Sequence, residues 1–175
     1  MTEIFLKSTH DDGLTALEIK DAIKRSLEGK KIKKVLLVPP DFTRFYSNAG
    51  LITNTYYHLL KDVSHVDILP ALGTHEAMTK DECEEMFGDI PFDRFIYHNW
   101  REDVVSIGVI PKEFLIDISE GLWETPINVE INKHIMDQTY DFIISIGQIV
   151  PHEVVGIANH SKNLFVGCGG KQIGR

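Results

Sequence analysis

Five side chains in this sequence carry chemistry that ordinary surface residues do not, and each lies beyond an apolar run. Asp41 and Arg44, in Asp41-Phe42-Thr43-Arg44, follow Leu36-Leu37-Val38 and the pair Pro39-Pro40. A guanidinium is a planar fork of donors matched to a carboxylate, and a nearby aspartate can orient it or bind a hydroxyl. An Asp that caps a turn beside a surface Arg is the plainer reading of the same pair. His75, in Gly73-Thr74-His75, follows Val66 to Leu69, and His152, in Pro151-His152, follows Phe142 to Ile146. Imidazole, with an ordinary pKa of about 6.5, suits proton transfer near neutrality. Two imidazoles on separate loops can face a substrate from opposite sides, as inversion of a stereocentre requires; alternatively each is a loop histidine bonded to backbone. Lys162 can bind phosphate, act as a nucleophile if its pKa is lowered, or simply be solvated. Gly167, Gly169 and Gly170 then allow close backbone approach to an anion, although neither GxGxxG nor Walker spacing is present.

Other reactive residue types rank lower. His98, in His98-Asn99-Trp100-Arg101-Glu102-Asp103, reads as part of a polar turn over a buried Trp100. Cys83 reads as packing, whereas Cys168 inside the glycine loop is less easily dismissed. The acidic residues Glu76, Asp81, Glu82, Glu84 and Glu85 read as a solvated helix face. No helical metal motif such as HExxH is present, and no metal ligands are assigned.

Three apolar strands must deliver these groups to one edge: Lys33 to Pro39, Val66 to Leu69, and Asp141 to Ile146. Between them, apolar residues at Ala16, Ile19, Ala22, Ile23 and Leu27 have helical spacing, with Gly29 as a stop. Asn48 is positioned to cap a second helix through Lys61, and Thr79 with Glu82 forms a capping-box pattern for Thr79 to Phe87. Phe95 to Tyr97, Val104 to Ile110, Phe114 to Ile118 and Leu164 to Val166 read as strands from composition, and Val129 to Met136 fits a strand or a helix. The expected fold class is α/β: a mostly parallel, doubly wound sheet with helices on both faces and some antiparallel strands in the middle. In such sheets, ligands bind beyond the carboxyl ends of the strands.

The chain has 175 residues, 43% hydrophobic and 25% charged, which fits one globular domain. A formal net charge of −8 argues against a nucleic-acid or anionic-membrane partner, since either requires a basic patch. Two cysteines form no disulfide framework, and no apolar run approaches the roughly 20 residues that cross a bilayer. A cytoplasmic location is the default expectation. The ending Gly-Gly-Lys-Gln-Ile-Gly-Arg, directly after a candidate phosphate loop, looks like a break inside a larger unit. Residues 1–175 therefore read as the amino-terminal catalytic or cofactor-binding domain of a longer protein, without its carboxy-terminal domain.

The blocks DFTR (Asp41 to Arg44), ALGTHEAMT (Ala71 to Thr79) and PHEVVGIANHSK (Pro151 to Lys162), leading into LFVGCGG, together resemble the nickel-dependent lactate racemase family. The match runs from about Val35 onward, and the joint order of the blocks is far more specific than any one of them. The resemblance implies racemisation or epimerisation of a small 2-hydroxy acid through a nickel pincer nucleotide tethered to a lysine. It implies His75 and His152 as the catalytic acid–base pair and Lys162 as the cofactor attachment. Asp41 and Arg44 would fix the substrate or its basic partners, with Gly167, Gly169 and Gly170 beside the cofactor.

Where the family has a Ser-Gly-Gly loop before the lysine, this chain has Ala158-Asn159-His160-Ser161, which suggests a divergent subgroup whose substrate need not be lactate. The family's nickel-ligating histidine falls beyond Arg175, so the isolated chain is expected not to racemise. Two other classes compete: a non-catalytic module binding an anionic metabolite, and a metal-dependent hydrolase built on His75, His98 and His152.

Overall fold

The structure, a computed structural model, describes residues 3–152 and 156–172. Its centre is a three-stranded parallel sheet in the order β2, β1, β5, formed by β1 (Lys34–Val38), β2 (His65–Ile68) and β5 (Phe142–Ser145). Val35 lies opposite Val66 on one side and Phe142 on the other, and Leu37 opposite Ile68 and Ile144. Val35 through Val38 are all fully buried, as a continuous apolar run flanked on both faces demands.

Longer helices cover one face, and non-helical segments with the short helix near Leu164 cover the other, so the expected helix layer on both faces is only partly present. On one, Val35, Leu37, Val66 and Ile68 pack with Tyr57 and Leu60 of α2 (Ala49–Leu60) and with Met86 and Phe87 of α3 (Lys80–Phe87). On the other, Leu36, Val38 and Leu69 pack with Tyr140, Cys168 and Leu164. Helix α1 (Ala16–Leu27) lies against α2 and has a complete capping box from Thr15 and Glu18; Thr79 and Glu82 cap α3 in the same way, as their spacing predicts. Gly50 lets α2 approach α3 closely, because a Cβ there would run into the Met86 carbonyl.

Several expectations are corrected. Asn48 does not cap α2 with its side chain. It takes a left-handed conformation (φ 59°) that ends a 3-10 segment, Phe42–Ser47, while Ser47 Oγ accepts the Ala49 amide at 3.3 Å. Phe114 to Ile118 belongs to a helix, α4 (Lys112–Ile118), and Leu164 lies in the short helix α5 (Ser161–Phe165). Both are short apolar runs that composition cannot assign to strand or helix. Phe95 to Tyr97 reduces to one bridge, in which Ile96 N donates to Ile68 O at 2.7 Å. The middle of the chain forms an antiparallel ribbon, β3 (Val104–Ile110) with β4 (Ile127–Asn132). His152, expected on an open loop, lies in β6 (Pro151–His152), paired antiparallel with β7 (Gly156–Ile157).

Parallel pairing continues beyond the strands. Leu69 N donates to Leu37 O and Ala71 N to Pro39 O, each at 2.8 Å, and Pro40 bridges Ala71. The loops after β1 and β2 are thereby held side by side before they diverge.

Candidate active site

Beyond the carboxyl ends of β1, β2 and β5 lies a cavity of about 320 Å³. The loop after β1 brings Asp41 and Arg44 to it, the loop after β2 brings His75, and the segment after β5 brings His152 and Lys162. Gly167, Gly169 and Gly170 line it as well. The residues assigned to the racemase-like site thus border one space, whereas His98 of the competing hydrolase reading does not.

Asp41 is 6% exposed and has both oxygens engaged. Oδ1 accepts from the Thr43 amide at 3.2 Å and the Thr43 hydroxyl at 2.5 Å, and Oδ2 faces His75 Nδ1 at 2.5 Å. An ionised carboxylate only accepts, so the proton of a neutral His75 sits on Nδ1 and its Nε2 lone pair is left for a ligand.

Lys162 is positioned by its neighbour Asn163, which is buried and donates through Nδ2 to Val38 O at 3.3 Å and Ile146 O at 3.2 Å. That amide fastens α5 across the ends of β1 and β5. Asn159 and His160, just before α5, have φ of 60° and 50°, a backbone state costing about 1–3 kcal/mol per residue. Asn159 holds the turn by donating to Gly147 O at 2.9 Å and accepting from Ser145 Oγ at 3.1 Å. Among the described residues, neither the Lys162 ammonium nor the Arg44 guanidinium has a hydrogen-bond or ion-pair partner. In a chain of net charge −8, the cavity therefore presents two cations without a partner among the described residues, and the carboxylate that lines it, Asp41, is already committed. This is a receptive environment for an anion.

The glycines do not form the expected anion cradle. Gly167 N donates to Lys162 O at 2.8 Å, Gly169 N to Val166 O at 3.3 Å and Gly170 N to Glu130 O at 3.3 Å. Protein atoms make the close approaches: a Cβ would meet Ala71 at Gly167, the Phe165 carbonyl at Gly169 and the Glu130 side chain at Gly170. The lysine and arginine side chains that line the cavity are Lys162 and Arg44.

His98 and Trp100 exchange their expected places: the imidazole is fully buried and the indole is partly exposed. His98 Nε2 lies 3.1 Å from Gly169 O, and Asn132 Nδ2 donates to His98 Nδ1 at 2.9 Å. Burial lowers its pKa, and one donor plus one acceptor suits the neutral ring. With both nitrogens occupied, His98 is not available to share an ion with His75 and His152. Among the described residues no group of three or more His, Cys, Asp or Glu is placed to hold a metal, which removes the three-imidazole hydrolase centre. Cys168 is fully buried and its thiol is pushed up to about 12 by burial, so it is not a nucleophile. His98, Asn132 and Asn163 carry no sequence signal of their roles, because each depends on a partner far along the chain: His98 and Asn132 are 34 residues apart, and Asn163 and Val38 are 125 apart. No helix among the described residues is long and apolar enough to cross a membrane.

The fold recurs in solved structures. A crystal structure of a protein from Thermotoga maritima superposes with a TM-score of 0.83 at 28% identity, covering 96% of this chain and 41% of that one. The lactate racemase apoprotein from Thermoanaerobacterium thermosaccharolyticum aligns with a TM-score of 0.61 at 23% identity, covering 87% of this chain and 37% of that one, a likeness of fold. The chain thus spans about two fifths of the length of either relative. No curated protein matches it. The family described as lactate racemase N-terminal domain matches residues 15–173, nearly the whole sequence, and the chain belongs to that family.

Proposed function

We propose that this chain is the amino-terminal part of a 2-hydroxyacid racemase or epimerase that works with a lysine-tethered nickel pincer nucleotide. The observation that carries the reading is the meeting of the Asp41–His75 pair, His152 and Lys162 at one cavity. The residues fit such a group in one definite way. Among the described residues the Lys162 amine has no partner that would oppose a covalent tether and no cluster of metal donors is present, so nickel would take its donors from the cofactor and from the rest of a longer protein.

Inverting a 2-hydroxy acid requires the Cα hydrogen to leave and return on opposite faces while the hydroxyl proton leaves and returns with it. When bound, the nucleotide supplies the acceptor for that hydrogen and its electron pair. The chain's own residues handle the rest. Arg44 holds the substrate carboxylate with its planar fork. His75 accepts the hydroxyl proton at Nε2, and Asp41 fixes its Nδ1–H and stabilises the imidazolium that results. His152 performs the same service for the opposite enantiomer. The remainder of a longer protein covers the cavity, and the 175-residue chain alone does not turn over substrate.

The test is intact mass of the full-length protein produced together with the enzymes that make the cofactor. A mass adduct that maps to Lys162 and disappears in K162A supports the reading. An unmodified Lys162 in a protein that still binds 2-hydroxy acids would replace it with the non-catalytic anion-binding module, for which the two unpaired cations also suffice.

A further inference from the structure

The loop 167–170 joins the two halves of the cavity. Gly167 O accepts from Gly73 N at 2.7 Å, and Gly73 lies two residues before His75. Gly167 N donates to Lys162 O at 2.8 Å. One short stretch of backbone therefore holds both the turn that bears His75 and the helix that bears Lys162.

What holds that stretch in turn is a buried polar pair outside the cavity. Cys168 O accepts from Asn132 N at 2.8 Å, and Gly169 O lies 3.1 Å from His98 Nε2. Asn132 Nδ2 meets His98 Nδ1 at 2.9 Å, while Asn132 Oδ1 accepts from His134 N at 2.9 Å. Both side chains are fully buried, so neither can exchange its partner for water. The second bond fixes the Asn132 amide with its NH2 toward the ring, which leaves Nε2 as the nitrogen that donates to Gly169.

We infer that His98 is a positioning residue of this site: with Asn132 it clamps the carbonyls of Cys168 and Gly169, and through Gly167 sets the separation of His75 from Lys162. It touches no ligand. A leucine would fill the same space, but it would leave the Gly169 carbonyl buried without a donor. The inference rests on the proposed function only for its chemical readout; the structural readout stands alone.

The experiment compares wild type, H98A and H98Q as full-length protein. Glutamine reaches Gly169 O with its Nε2–H and so replaces the bond that matters. Hydrogen exchange over residues 162–172 is expected to quicken at least tenfold in H98A and to return within threefold of wild type in H98Q. The Lys162 adduct is expected to fall at least fivefold in H98A and to recover in H98Q. Should H98A not fold, H98N replaces it, since asparagine keeps the contact to Asn132 and cannot reach Gly169. Unchanged exchange in H98A, or H98Q no better than H98A or H98N, overturns the inference. A wild-type protein without an adduct overturns the proposed function instead, and the exchange data then still decide the role of His98.

Discussion

His75 Nδ1 lies 2.5 Å from Asp41 Oδ2, although 34 residues separate the two. The contact exists because pairing of the chains after β1 and β2 carries on through Ala71 and Pro39 before the loops part. It pairs one of two candidate histidines with a buried carboxylate through Nδ1 and leaves Nε2 outside that contact.

Replacing Asp41 with asparagine keeps the size and removes the charge and the acceptor-only character. In the full-length enzyme, D41N is expected to lower kcat about 10²- to 10⁴-fold with a smaller change in KM, the pattern of an imidazole that loses its orienting carboxylate. Steady-state racemisation kinetics check it, and activity within threefold of wild type would remove the dyad from the mechanism.

Arg44→Lys keeps a positive charge and loses the two-pronged geometry. KM for the 2-hydroxy acid should rise about tenfold while kcat changes little, because one point charge replaces a bidentate contact. An unchanged KM would show that the carboxylate is held elsewhere.

His98 makes stability depend on pH in a definite direction. Its folded-state pKa lies below the ordinary value, chiefly through burial, so in mild acid the unfolded chain takes up a proton that the native protein refuses. The native state therefore loses stability as pH falls below about 6.5, at up to about 1.4 kcal/mol per pH unit until the folded imidazole also titrates. Urea unfolding between pH 5 and pH 8 should show this slope in wild type and a shallower one in H98Q. Identical slopes would mean that His98 does not couple to folding.

Gly50→Ala adds one methyl group where α2 meets the Met86 carbonyl. Neither partner is a flexible side-chain end, so the helices must separate, at a cost of about 1–3 kcal/mol. A urea midpoint equal to that of wild type would contradict the close approach.

Both thiols should be silent in the native protein. Burial raises Cys83 to about 11 and Cys168 to about 12, so an aromatic disulfide reagent at pH 8 should label neither until denaturant is added. Rapid labelling of native Cys168 would reopen it as a reactive group.

The parallel sheet was legible because Val35 to Val38 is a wholly apolar run, and Val66 to Leu69 and Phe142 to Ile146 are apolar but for Asp67 and Ser145, as buried parallel strands need. The same rule misread Phe114 to Ile118 and Leu164 to Val166, since apolar composition over a few residues does not distinguish a strand from one turn of helix. That Asp41, Arg44, His75, His152 and Lys162 border one cavity could be anticipated, because the topology of an open α/β sheet sends its strand ends to one edge. Which of them would touch could not. The Asp41–His75 bond, the burial of His98 and the strap from Asn163 to Val38 depend on partners that sequence order does not place together.

The bond between Gly73 and Gly167 has a last consequence. Residues 94 positions apart share this backbone bond, so a displacement of the turn before His75 pulls on the same residue whose amide is held by the Lys162 carbonyl. Strain introduced at either end of that residue is therefore felt on both sides of the cleft.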